Sequence, residues 1–144
     1  MMNNTLANFW ERDIRKLIEE INLFKNEENL WKTVGSVKNS SGNLVLHIIG
    51  GTNYLIGKIL AGTGYVRDRD AEFTKKGVPR TELVSGLEAL IALTRETINR
   101  TNLDDEYPML FDDMMVTNNY LLTQLLVHLN YHLGQVNYLR RILE

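Results

Sequence analysis

Residues 121–143 read LLTQLLVHLNYHLGQVNYLRRIL, and the reading of this stretch decides the fold. Leu121, Gln124, Leu125, His128, Tyr131, His132 and Gln135 recur at three- and four-residue spacing. That period lays them along one stripe of an α-helix. The segment runs from Thr117 to the C-terminus, and at 1.5 Å per residue it spans roughly 40 Å. His128 and His132 are four residues apart, so they leave the same face with Cβ atoms about 5–6 Å apart. Two imidazoles at that spacing suit one metal ion.

Three further segments carry the same period. From Thr5 to Phe24, Leu6, Phe9, Trp10, Ile14, Leu17, Ile18, Ile21 and Phe24 form an apolar stripe opposite charged Glu11, Arg12, Arg15, Lys16, Glu19 and Glu20. Thr5 or Asn4 is its expected cap. The second segment starts at Ser40-Ser41, a helix-start signal, and continues through Leu44, His47, Ile48, Gly51, Leu55, Ile59 and Leu60. It carries no charge before Lys58, so most of its circumference is expected to be buried. Gly62 and Gly64 end it. The third segment runs from Thr81, its expected cap, to Arg100. Between the second and third lies TGYVRDRDAEFTKKGVP, whose alternating charges read as a solvated, locally salt-bridged surface. Before the fourth, NLDDEYPMLFDDMMV reads as a solvated loop, with one carboxylate in reach of a metal as a further option.

No segment alternates with period two, so a sheet is not expected. The reading is all-α: a four-helix bundle formed by residues 1–144 as a single domain. The connections are longer than the shortest bundle loops, which leaves crossover or non-sequential packing open.

His47, His128 and His132 are the only histidines, and each sits in an apolar helical context: NLVLHIIGG, then LLVHLNYHLGQV. A single histidine on an apolar helix is more often a hydrogen-bonded core residue than a ligand. The i,i+4 pair shifts that balance, because two unpaired buried imidazoles on adjacent turns are costly. Three imidazoles with one open position is a catalytic zinc arrangement. Imidazole also suits nickel, iron and copper. Gln124, one turn before His128, and Gln135, almost one turn after His132, are candidate ligand-orienting or cofactor-binding groups. Equally, they satisfy buried polar atoms. Asn43, one turn before His47, is a third candidate, with local helix capping as its alternative. Gly51, one turn after, leaves space beside the site.

Composition narrows the field. The net charge of −2 gives no reason to expect nucleic acid or an anionic membrane as a partner. The absence of cysteine excludes disulfides and thiolate metal sites and fits a cytoplasmic protein. The N-terminus does not read as a signal peptide, and no apolar run is long enough to span a membrane. The residue after His128 is Leu129, so this is no HExxH helix, and no nucleophile elbow or phosphate-binding loop is present.

KNSSGNLVLHIIG (residues 38–50), TGYVRDRDAEF (63–73) and HLNYHLGQVNYLRRIL (128–143) together resemble the DinB/YfiT-like metalloprotein superfamily, and within it an uncharacterised bacterial branch. The resemblance implies a four-helix bundle of DinB-like topology with a non-ferritin helix order. It also implies a metal site of His47 from the second helix with His128 and His132 from the fourth. Further implications are zinc or nickel as the metal, a homodimer, and kinship with transferases and isomerases that use low-molecular-weight thiols such as bacillithiol or mycothiol. Gly51, Thr52, Asn53, Tyr54 and Leu55 depart from the Asn-Leu-Asn-His-Phe-like run expected there, at a position that carries no ligand. The function expected is a metal-dependent thiol S-transferase acting on a small-molecule substrate. A non-catalytic metal- or ligand-binding protein and a metal-dependent hydrolase, the latter short of a nearby carboxylate base, are the alternatives.

Overall fold

The computed structural model describes residues 2–144. Five α-helices follow one another: α1 (Met2–Leu23), α2 (Ser41–Thr52), α3 (Arg69–Thr74), α4 (Arg80–Arg100) and α5 (Asn118–Leu143). A short 3-10 turn, Glu27–Trp31, lies between α1 and α2. Among the described residues there is no β-strand, only isolated bridges between Glu106 and Thr117 and between Phe111 and Met114. The all-α expectation holds, with one helix more than the periodicity announced.

The extra helix is α3, inside the stretch expected to be a solvated loop. Its six residues are too few to show a 3.6-residue period. Asp68 caps it by accepting from the Ala71 N–H. The second expected helix also divides. After Thr52 it widens into a π-helical stretch, Asn53–Lys58, the kind of irregularity found at functional sites. Its displaced carbonyls are covered by side chains: the Tyr107 hydroxyl donates to Leu55 O at 2.7 Å and Asn53 Nδ2 donates to Ile49 O at 3.0 Å.

Of the three caps expected from the sequence, the one at Ser40 forms, accepting from Asn43 N–H. Thr117, where the sequence reading expects no cap, also caps its helix by accepting from Tyr120 N–H. Thr5 and Asn4, in contrast, lie inside α1, which already begins at Met2. Thr81 lies in the first turn of α4, whose cap position is Pro79 without a side-chain bond. Proline ahead of the helix fixes φ and lacks the N–H that would otherwise be orphaned there.

The four long helices pack in a ring. α1 lies against α4 and α5, and α2 lies against the same two. Helices adjacent in sequence, α1 with α2 and α4 with α5, therefore sit across the ring from each other. The shared core is built from Trp10, Ile14 and Leu17 of α1, Leu44 and Ile48 of α2, Leu83, Leu87 and Leu90 of α4, and Leu121, Leu129 and Val136 of α5. Burying each such side chain contributes about 1.5–3 kcal/mol. Polar pairs set the rotation of α5 on α1: Asn130 donates to buried Asp13, and Asn137 and Arg140 both donate to Glu20. Trp31 lies flat on α2, where only Gly42 admits it, since a Cβ there would fall 2.6 Å from the indole ring. No helix among the described residues is long and apolar enough to cross a membrane.

Candidate metal centre

α2 and α5 cross in contact, and this crossing brings His47 beside His128 and His132. Leu44 and Ile48 bury one side of α2, and Leu129 and Leu133 one side of α5. The histidines occupy the half-buried margin between these core residues and the surface. One ring nitrogen from each lies within 4.8 Å of the others. The ring centroids are 5.2 Å (His47–His128), 5.4 Å (His47–His132) and 4.3 Å (His128–His132) apart, all set edge to face.

Hydrogen bonds on the outer edges of two rings decide which nitrogens face inward. His47 Nδ1 is 3.0 Å from Glu72 Oε1, and His132 Nδ1 is 2.6 Å from Gln135 Oε1. Both partners accept, so Nδ1 carries the proton and Nε2 presents its lone pair. The Nε2 atoms of His128 and His132 approach to 2.9 Å. Two imidazole lone pairs at that separation repel unless a proton or a cation lies between them. The donor set and this approach fit a divalent ion held by His47, His128 and His132.

Charge at the site runs the same way. Burial is the largest influence on His128, followed by the neighbouring His132 and His47 and the Arg67 cation, and together they hold its pKa down to about 4. Burial also lowers the pKa of His47, and its hydrogen bond to Glu72 only partly opposes this. Both imidazoles are therefore neutral at pH 7, the state a ligand requires.

Glu72, missed in the sequence, is the main support of His47. Its side chain is only 6% exposed. Its two oxygens accept from Arg67 Nε at 2.8 Å and Arg67 Nη2 at 3.0 Å, while Oε1 also faces His47. The fork from Arg67 fixes the orientation of this buried carboxylate. Phe73 packs on the His47 ring, with centroids 4.9 Å apart and the planes tilted by 36°. Gly50 makes the approach of α3 possible, because a Cβ at that position would overlap the Glu72 carboxylate. The expected solvated loop thus carries half of the site's scaffold, and its RDRDAEF charges face inward in part. Among its signals only Glu72, with an aromatic neighbour and an arginine five residues before it, pointed that way.

The three candidate positioning residues fall in different places. Gln135 bonds His132 as described. Gln124 lines a cavity of about 370 Å³ that opens onto His47 and His128. Asn43 is fully buried and does not line this cavity. Its Nδ2 donates to Glu72 O and Lys75 O, and its Oδ1 accepts from Ser40 Oγ and Lys76 Nζ. With every polar atom engaged in fastening α3 to α2, Asn43 supports the site from behind instead of meeting a ligand. Gly51 also lines the cavity, facing Arg67. From the 102–116 loop, Phe111 and Asp112 reach the cavity wall, while Leu103 and Tyr107 are buried as its anchors.

Neither the curated proteins nor the solved structures compared with the chain gave a match. A family model described as "Protein of unknown function (DUF1572)" matches residues 3–144. Spanning nearly the whole chain, that match shows that the protein belongs to the DUF1572 family.

Proposed function

We propose that the protein is a divalent-metal-dependent enzyme of the thiol S-transferase type, built on a DinB-like four-helix bundle. The observation that carries this reading is the convergence of His47, His128 and His132 beside a cavity large enough for a small molecule. The ring order, in which sequence neighbours lie across the bundle, supports the DinB-like topology. Zinc or nickel is the proposed metal, since neutral imidazoles suit both.

A bound divalent cation with an open position would deprotonate a coordinating thiol and supply a nucleophile at neutral pH. The chain's own residues do the rest. Glu72 and Gln135 hold the inward-facing tautomers of His47 and His132. Leu55, Phe111 and Leu125 line the cavity with apolar surface, and Gln124 offers it a donor and an acceptor. Hydrolysis by an activated water is less well served, because Glu72 is held by Arg67 and His47 and is not free to act as a base. A closed, non-catalytic metal site is disfavoured by the cavity at His47 and His128. The proposal extends to a homodimer seated on α5, where Tyr131 and Tyr138 are each 64% exposed; a monomeric mass by sedimentation at micromolar concentration would contradict that part.

The test is metal analysis of the purified protein against His128→Ala, followed by transfer assays with bacillithiol, mycothiol, glutathione and coenzyme A on electrophilic substrates. The reading expects metal in the wild type only, and transfer from at least one thiol. Equal metal in both proteins would remove the ligand assignment. Metal without any transfer would leave a binding protein.

A further inference from the structure

The cavity beside the triad carries its own charge pattern, which the metal reading does not use. Arg67 and Arg69 both line it, together with Gly51, Thr52, Gln124, His47 and His128. Arg67 is held by Glu72 through Nε and Nη2, and its plane lies 6.0 Å from the Tyr54 ring centroid. A guanidinium offers five N–H groups. Two are engaged here, and the remainder belong to a side chain that lines the cavity already fixed in place. Gly51 lies beside this guanidinium, where an added Cβ would come into contact with Arg67 Nη2 at 3.4 Å. Arg69 is exposed at the rim and makes no hydrogen bond or ion pair among the described residues. The pair is therefore one cation paired with Glu72 with donors to spare, and one cation whose side chain forms no ion pair.

Asp112 is the opposing element. It lines the same cavity, takes a left-handed backbone conformation (φ 49°) and pairs with neither arginine. Its negative charge disfavours a densely charged anion such as phosphate and tolerates a single carboxylate. We infer that this cavity binds a carboxylate-bearing small molecule, its carboxylate on Arg67 and Arg69 and its metal-seeking donor toward the histidines. Planar, bidentate recognition of a carboxylate is the task to which a pre-oriented guanidinium is best suited. The inference rests on the proposed metal centre and names the class of ligand for it.

Three thiols with one two-carbon skeleton test it: 3-mercaptopropionate, 2-mercaptoethanol and cysteamine, which end in a carboxylate, a hydroxyl and an ammonium. Each is titrated into the cobalt-loaded protein while the cobalt absorption is followed. The expected order has 3-mercaptopropionate tightest, by about tenfold or more over 2-mercaptoethanol, and cysteamine weakest. Arg69→Glu, at an exposed position outside the triad, is expected to shrink that ratio several-fold while leaving the unliganded cobalt spectrum unchanged. Comparing ratios between the two proteins cancels the differing acidities of the thiols. A cobalt centre that responds to all three alike, in both proteins, overturns this inference and leaves the metal reading standing. Failure to bind cobalt overturns both. Inorganic phosphate competing with 3-mercaptopropionate more strongly than acetate does would overturn the carboxylate assignment.

Discussion

Two stretches meet His47 of α2 at the candidate metal centre, and they present themselves very differently. Helix α5 announces its contribution: an apolar stripe with His128 and His132 on one face, capped at Thr117. The segment from Thr63 to Pro79 looks like a charged surface loop, yet it delivers Glu72, Arg67 and Phe73 to His47. The difference lies in what local sequence can encode. Period and spacing place two side chains relative to each other on one helix. They say nothing about which distant residue a charged group will meet, and alternating charges look the same whether their partners are water or a buried imidazole.

If α5 and α2 supply ligands while the 63–79 segment supplies support, the two should separate by magnitude. The largest loss belongs to the ligands. His132→Ala is expected to weaken zinc binding by more than about 100-fold, read by competition with a chromophoric chelator, because supporting contacts alone account for roughly 10–100-fold. A milder loss would move His132 from ligand to neighbour.

Glu72→Gln tests the supporting segment directly. It preserves shape and removes charge, so Arg67 loses its ion pair and His47 Nδ1 its anionic acceptor. The expected loss is about 10–100-fold in metal affinity. Wild-type affinity in this variant would make the 63–79 segment a mere cover. Gly50→Ala approaches the same contact from α2. Its Cβ overlaps the Glu72 carboxylate, so thermal or denaturant unfolding should show a loss of roughly 1–3 kcal/mol from overpacking, together with weaker metal binding. Unaltered stability would mean that α3 shifts without cost.

The next effect is on pH. Unfolded, His128 titrates near its ordinary value of about 6.5, and folded it titrates near 4. Between those values the unfolded chain holds more protons, so stability rises with pH across that window. Below about 4 both states are protonated and above about 6.5 both are neutral, and His128 then adds no slope. The metal-free protein should therefore lose stability on acidification from about 6.5 to 4, at no more than about 1.4 kcal/mol per pH unit for one proton. His128→Asn should flatten the profile. An unchanged profile would place the buried imidazole elsewhere. The smallest change is expected for Gln135→Leu, which removes one neutral hydrogen bond from His132. With about 0.5–1.5 kcal/mol at stake, affinity should fall by roughly 2- to 12-fold.

Much of this protein was legible before any fold was known. The 3.6-residue stripes of α1, α4 and α5, the Ser40 cap and the i,i+4 histidine pair all arise from contacts within a few residues, which the chain alone determines. Asn43 shows where that reasoning stops. Its position one turn from His47 suggested the ligand site, but on the buried face of α2 it points toward the end of α3, and its amide is consumed by Glu72 O, Lys75 O, Ser40 and Lys76. The π-helical widening after Thr52 is likewise invisible locally, because it depends on Tyr107 crossing from another loop to meet Leu55 O. The sequence by itself determined an all-helical chain and two of three metal-ligating candidates on one face. Only the tertiary structure decided that α2 lies against α5, that Glu72 reaches His47 through the space left by Gly50, and that Arg67 and Arg69 share the cavity. Those outcomes depend on pairings between residues far apart in the chain, and no periodicity records them.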